Sequence, residues 1–140
     1  VHATDVVHRI RFGVEVSPLA DAKGPTDLER EVGVQLSEYF SGQRQRFELP
    51  LDPTATPLQQ QVWQQLDEIP YGNSVSYGHI ARHLGLEPSA ARAIGGAVGA
   101  NPVLIVRPCH RVVGADGSLT GYAGGIDAKL WLLQHEGVLL

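Results

Sequence analysis

Ser76-Tyr-Gly-His-Ile-Ala-Arg-His-Leu-Gly-Leu-Glu-Pro-Ser-Ala-Ala-Arg-Ala-Ile-Gly-Gly-Ala-Val98 decides how this chain is read. Ser76 is placed to cap a short helix whose buried face is Ile80 and Leu84, and Gly85 ends it. A second short helix starts near Pro88 or Ser89 and runs through Ile94 and Val98. Two short helices joined by a tight glycine-containing turn predict a helix-turn-helix unit, which in many proteins is purely structural. Here the second helix opens on the small residues Ala90 and Ala91 before Arg92. Small side chains at an exposed helix start allow close approach to a nucleic-acid backbone or groove floor. Tyr77 opens the first helix, where packing is its commonest role.

Upstream, Thr56-Pro57-Leu58-Gln59 is a capping box with proline at the first helical position, followed by Leu58, Val62, Leu66 and Ile69 at helical spacing. Phe47 to Pro57 holds three prolines and reads as an extended linker. The domain boundary is placed there, giving 1–52 and 53–140. A second box, Thr26-Asp27-Leu28-Glu29, starts a helix carrying Leu28, Val32, Leu36, Tyr39 and Phe40, with Gly42 as its stop. Val6 to Phe12 alternates and is β-branched, so it predicts a strand, and Val14 to Pro25 predicts a loop.

Downstream, Asn101-Pro102 and Arg107-Pro108 bracket the apolar run Val103 to Val106. Arg111 to Val113 and Ser118 to Thr120 are expected to form a hairpin around Asp116-Gly117. Gly121 to Gly125 is a glycine-rich loop. Asp127 is expected to cap a last helix packed through Leu130, Trp131 and Leu133 and closed by Gly137.

Composition bounds the reading. The chain has 140 residues, 43% hydrophobic and 19% charged, which fits one globular domain or two very small ones. No apolar run reaches membrane-spanning length, and no basic-then-apolar signal segment opens the sequence. A cytoplasmic protein is expected. The absence of methionine reads as a trimmed or non-Met start. The net charge of −4 argues weakly against nucleic acid, but the distribution does not: Ser74 to Val113 carries four arginines and one glutamate.

Cys109 is the only cysteine, which excludes an intrachain disulfide and a cysteine-rich zinc cluster. A lone cysteine is most often an inert buried hydrophobe. This one follows Pro108 and precedes His110-Arg111. Nearby cations would raise its thiolate fraction. In extended chain Cys109 and His110 point to opposite faces, so a bridging water or a bend at the Pro-Cys peptide is needed for them to cooperate. His79 and His83, four apart, have metal-binding spacing, but no third ligand is placed beside them, and no metal is expected. Glu136 opposes the dipole of the last helix, as a functional acid or as an exposed frayed end.

Asn101-Pro-Val-Leu-Ile-Val-Arg-Pro-Cys-His-Arg-Val-Val113 resembles the active-site signature of O6-alkylguanine-DNA alkyltransferases, the methylated-DNA–protein-cysteine methyltransferase family. Ile69 to Ala81, Ala90 to Gly96, Gly121 to Gly125 and Leu132 to Gly137 look like the family's other blocks in the right order. The resemblance covers Pro53 to Leu140. It implies an α/β (α+β) fold: a small, shortened N-terminal α/β domain before a helical C-terminal domain with a winged helix-turn-helix-like motif. It also implies direct reversal of damage in double-stranded DNA containing O6-alkylguanine, and less so O4-alkylthymine. The base is flipped out and its alkyl group passes irreversibly to one cysteine, with no cofactor, by a monomer (nucleoid-associated if bacterial).

By position, Cys109 would be the acceptor. His110 would take the thiol proton through a water, Glu136 would hold the histidine, and Asn101 would brace the turn. Arg92 would fill the gap left by the base and Tyr77 would crowd the phosphate. The helix with Ala90, Ala91 and Gly95 would enter the minor groove. Val98, Val112, Tyr122 and Ala123 would line the guanine pocket.

The sequence departs from the family pattern in three places. One or more N-terminal strands are expected to be missing. Leu104 stands where proline is common, so poorer acceptance of benzyl than methyl is expected. Arg107 stands where an apolar residue is common, as an extra phosphate contact or an exposed side chain. The competing readings are a catalytically silent lesion binder, a helix-turn-helix regulator and a cysteine hydrolase.

Overall fold

The computed structural model describes residues 5–12 and 26–138. The loop expected over Val14 to Pro25 lies outside them.

Helix α1 (Asp27–Phe40) starts at its sequence signal. Thr26 Oγ1 accepts from the Glu29 N–H at 3.1 Å, but the return bond of the box differs: the Glu29 carboxylate accepts from the Thr26 hydroxyl at 3.3 Å. Gly42, at φ 82°, turns the chain out of the helix. Helix α2 (Pro57–Asp67) has the complete box, with Thr56 and Gln59 exchanging bonds of 3.2 and 3.0 Å. It buries Val62, Trp63 and Leu66.

Strand β1 (Val75–Ser76) runs into α3 (Tyr77–His83), capped by Ser76 Oγ at 3.1 Å from the His79 nitrogen. A 3-10 turn over Pro88–Ala90 leads into α4 (Ala91–Gly99), so the second helix of the pair enters through a tighter turn. Proline suits that position because the first helical N–H has no partner within the helix. Helix α4 packs against both α2 and α3.

Strand β2 (Val112–Val113) pairs parallel with β1, Val75 opposite Val112 and Ser76 opposite Val113. The hairpin expected from Arg111 to Thr120 does not form. Its turn is present, closed by the Gly114 N–H on the Ser118 carbonyl at 2.8 Å, but 118–120 make no strand. Both β2 residues are buried, Val112 in the cluster with α2, α3 and α4 and Val113 with Leu133 and Val138, and an isolated hairpin would supply neither cover. The strand expected over Val6 to Phe12 reduces to two isolated parallel bridges, Val7 to Leu51 and Ile10 to Val103. Each bridge meets a different partner segment, so no ladder propagates.

Helix α5 (Ile126–His135) is capped by Gly125 at φ 96°, not by Asp127, which lies in the first turn. Leu132 and Leu133 fill the core, whereas Trp131 is half exposed and stacks on His135. The segment from Val103 to Cys109 supplies three separate apolar clusters: Leu104 and Cys109 join α2, α3 and α4, Val103 meets Val7 and Leu28, and Ile105 meets Tyr39 and Leu132. Among the described residues no helix is long and apolar enough to cross a membrane.

Candidate active site

The loop before Cys109 is held from inside. Asn101 is buried, and its Oδ1 accepts the Val103 N–H at 3.1 Å. Its Nδ2 donates to the Arg107 carbonyl at 2.9 Å. Between these anchors the Val106 N–H reaches the Leu104 carbonyl at 2.8 Å, around Ile105 at φ 72°. This is a γ-turn of the strained hand, which a β-branched residue adopts only when its surroundings enforce it. Ile105 pays that conformational cost against its burial with Tyr39 and Leu132.

Pro108, at φ −83° and ψ 60°, makes a second γ-turn of the relaxed hand, with the Cys109 N–H on the Arg107 carbonyl at 2.8 Å. Cys109, His110 and Arg111 then form a 3-10 turn. The chain is thus bent, not extended, at the Pro-Cys peptide. The opposite-face geometry expected for Cys109 and His110 gives way to a turn that carries both inward, to 5% and 0% exposure.

Glu136, at the C-terminal cap of α5, is buried rather than frayed. Its Oε1 accepts from Arg111 Nε at 2.7 Å. Its Oε2 accepts from His110 Nε2 at 2.7 Å, Arg111 Nη2 at 3.1 Å and the Tyr39 hydroxyl at 2.7 Å. Burial opposes the charge, but these donors win and hold the carboxyl at about 2. An ionised Glu136 requires the proton on His110 Nε2. The other ring nitrogen, Nδ1, is then a lone pair, and it is buried with no partner among the described residues. Burial lowers the imidazole's pKa, so the ring is neutral and basic at Nδ1 near neutral pH.

Burial also pushes the Cys109 thiol up, against the pull of Asn101, Lys129 and Arg107. The sequence led us to expect more thiolate; the structure gives a resting thiol, because desolvation outweighs the nearby cations. Lys129 escaped the sequence reading. It is 1% exposed, with Nζ on the Thr120 carbonyl at 3.0 Å. It shares the inward face of α5 with Leu132, Leu133 and Glu136, and a lysine at the i, i+3, i+4, i+7 core spacing was the available signal. Tyr39 and Arg111 were missed as partners of Glu136 for a different reason: the first read as helix core, the second as part of a basic surface.

Val98, Val112 and Cys109 lie in one buried cluster against which Tyr77, Ala90 and Tyr122 pack. Tyr122 sets its ring edge-on to His110, with centroids 6.5 Å apart, and its buried hydroxyl has no partner among the described residues. The Tyr77 hydroxyl meets Thr120 Oγ1 at 2.9 Å, and a Cβ on Gly95 would make ordinary contact with the Tyr77 ring. Ala91, Arg92 and Ala123 are exposed. Gly124 has no room for a side chain: a Cβ there would overlap the rings of Phe12 and Tyr122.

Arg107 is not the exposed side chain that was one of its two expected placements. It is 8% exposed, lies 3.4 Å from Asp67 and stacks over Trp63 at 4.7 Å. Arg111 is likewise turned inward, so only Arg82 and Arg92 of the four local arginines face solvent. The His79 and His83 rings lie against each other at a tilt of 34°, centroids 4.1 Å apart, and among the described residues no three candidate ligands converge on a metal-sized site.

Comparison with known proteins gives the same answer. The sequence model described as 6-O-methylguanine DNA methyltransferase, DNA binding domain, matches residues 57–138. A methylated-DNA–protein-cysteine methyltransferase of Methanosarcina acetivorans is 50% identical over 77% of this chain and 69% of its own length. That of Shigella flexneri is 51% identical over 76% of this chain and 62% of its own, so the chain spans about two thirds of these curated relatives. The crystal structure of Mycobacterium tuberculosis OGT in complex with DNA superposes with a TM-score of 0.74 at 50% identity, covering 77% of this chain and 66% of that one. Half-identity across three quarters of the sequence, with the same fold, leaves no other assignment: this chain belongs to the methylated-DNA–protein-cysteine methyltransferase family.

Proposed function

We propose that this protein repairs O6-alkylguanine, and less readily O4-alkylthymine, in double-stranded DNA by irreversible transfer of the alkyl group to Cys109. The observation that carries this is the buried, unpartnered His110 Nδ1, one residue from the thiol, on a ring whose other nitrogen is fixed by Glu136.

The alkylated base is rotated out of the duplex, at a cost of about a few kcal/mol. A water relays the Cys109 proton to His110 Nδ1. Sulfur attacks the alkyl carbon, the carbon–oxygen bond breaks, and its electron pair stays on the guanine. The proton given up by the thiol neutralises that guanine, so thiol and alkylguanine become thioether and guanine. No metal or organic cofactor enters this balance. Glu136 stabilises the transient imidazolium, and Asn101 braces the loop through its bonds to Val103 and Arg107. Cys109 is not regenerated, so each molecule acts once.

The α3–α4 pair is read as a winged helix-turn-helix-like motif whose second helix enters the minor groove. Ala90, Ala91 and Gly95 permit close approach there. Arg92, exposed on that helix, fills the space the base vacates, and Tyr77 crowds the phosphate. Val98, Val112, Tyr122 and Ala123 line the base pocket. Minor-groove readout is degenerate, which suits a protein that scans any sequence. A division into 1–52 and 53–140 is supported by the family match beginning at residue 57. The protein acts as a monomer in the cytoplasm, on the nucleoid in a bacterium.

Intact-mass spectrometry after incubation with an O6-methylguanine duplex tests the reading. The expected outcome is one added CH2 unit on Cys109, absent in Cys109→Ser. Binding without a mass gain would instead support a silent lesion binder. Leu104, buried in the same cluster as Cys109, is expected to slow benzyl relative to methyl transfer. Equal rates would remove it from specificity.

A further inference from the structure

Glu136 Oε2 is served from two ends of the chain. His110 and Arg111 come from the cysteine turn, and the Tyr39 hydroxyl comes from α1, outside the matched residues 57–138. Tyr39 is fully buried. Its ring packs against Phe47, Tyr71 and His135, and its own carbonyl lies 2.8 Å from His135 Nε2. Side chain and main chain of one residue therefore fasten His135 and Glu136, the two residues that end α5. We propose that Tyr39 is a positioning residue for alkyl transfer: its phenol donates to Glu136 Oε2 and thereby sets both the orientation and the basicity of His110. This rests on the function proposed above and extends it to α1.

The chemistry of the bond supports more than packing. Burial and the adjacent carboxylate push the phenol's pKa far up, so Tyr39 only donates, and its one proton goes to Glu136. A donor to a carboxylate oxygen draws charge from it. Oε2 then attracts the His110 imidazolium less strongly, and His110 remains an unprotonated base to lower pH. Arg111 and Lys129 act on His110 in the same direction as burial, while Glu136 opposes them. Tyr71 and Arg111 also act on the Tyr39–Glu136 pair, and the Tyr122 ring faces His110. Replacing Tyr39 by phenylalanine leaves all of these in place and removes one donor.

The Tyr39→Phe protein is compared with wild type in two assays across pH 5 to 9. Because Cys109 is the only cysteine, its alkylation by iodoacetamide reads the relay without DNA. Methyl uptake from an O6-methylguanine duplex reads repair. The expected result is an acidic limb displaced upward by about half a pH unit or more in both assays, which is roughly a threefold or larger loss of rate below the limb. Phe40→Ala is the control. It removes aromatic contacts with Tyr39, Trp131 and His135 but keeps the Tyr39 phenol. It is expected to lower the melting temperature without moving the limb. Coincident limbs for Tyr39→Phe and wild type, or equal displacement in Phe40→Ala, would overturn the proposal. A wild-type protein that takes no methyl from DNA would count against the repair reading alone, because the iodoacetamide limb is measured independently.

Discussion

The cysteine turn and the α4 surface lie against the same buried cluster, yet they are built on opposite terms. Around Cys109, polar side chains are nearly or fully buried, and Glu136 alone accepts from Tyr39, His110 and Arg111. On α4, Ala91 and Arg92 are exposed, and the residues that precede and follow them are small. The first region is closed by its own bonds; the second is left bare, as the proposed contact with DNA requires. Nucleophilic transfer requires a base of fixed tautomer in a dry setting, where an ionic hydrogen bond is worth more than in water. Docking on DNA requires access, and bonds made in advance would have to be broken. The contrast also sorts four arginines of one sequence block: Arg107 and Arg111 are spent inside, Arg82 and Arg92 face outward.

The sharpest way to break this comparison is Glu136→Gln. It removes the charge that Arg111 and His110 share, and loss of one partner of a buried ion pair costs about 3–5 kcal/mol. Urea denaturation should show that loss, and methyl transfer should fall with it. The pH dependence of wild-type stability carries the same signature. Glu136 has a depressed folded-state pKa, so its contribution is complete above about 4.5 and disappears as pH falls toward about 2. His110, depressed by burial, adds an earlier loss that begins as pH falls below about 6.5, where the unfolded chain takes up a proton first. Glu136→Gln should shrink the lower of the two acid phases, leaving the part that the depressed carboxyls of Asp52 and Asp116 contribute. A stable, fully active variant would mean the buried network is dispensable.

Arg92→Ala should act only on the open side. Repair of duplex DNA is expected to slow by about tenfold or more if Arg92 fills the gap left by the extruded base as proposed. Reaction with free O6-methylguanine base and the melting temperature should be unchanged. If the free base is affected equally, Arg92 belongs to the chemistry and the division of labour is wrong. The smallest effect is expected for Arg107→Leu. Asp67 is half exposed and can hydrate, and an apolar replacement fills the space over Trp63, so stability should change by no more than about 1 kcal/mol. Salt-dependent DNA affinity should stay as in wild type; a drop would return Arg107 to the DNA surface.

Local chemistry was enough to place the helices, though not the Gly125 cap of α5. The Thr26 and Thr56 boxes, the Ser76 cap and the glycines at 42, 85 and 137 lie where their side chains or backbone freedom are needed. Short strands were not legible in that way. Val112–Val113 carries no mark of choosing β1 over 118–120, and Val7 and Ile10 pair singly with distant segments, since strand pairing is decided by what covers the faces. Trp131 was expected inside because tryptophan is large and apolar; one face of α5 was already filled by Lys129, Leu132 and Leu133.

By itself the sequence determined the family and the helix pair, and it singled out Cys109, Asn101, His110 and Glu136 as site candidates, because motif order and capping signals are local properties of the chain. Only the tertiary structure decided that Pro108 bends the turn, that Glu136 is bonded from both α1 and the cysteine turn, that burial outweighs the cations at Cys109, and that two of four arginines point inward. Those outcomes depend on which groups share a water-free space, and solvation and charge pairing act through distance in the fold, not along the sequence.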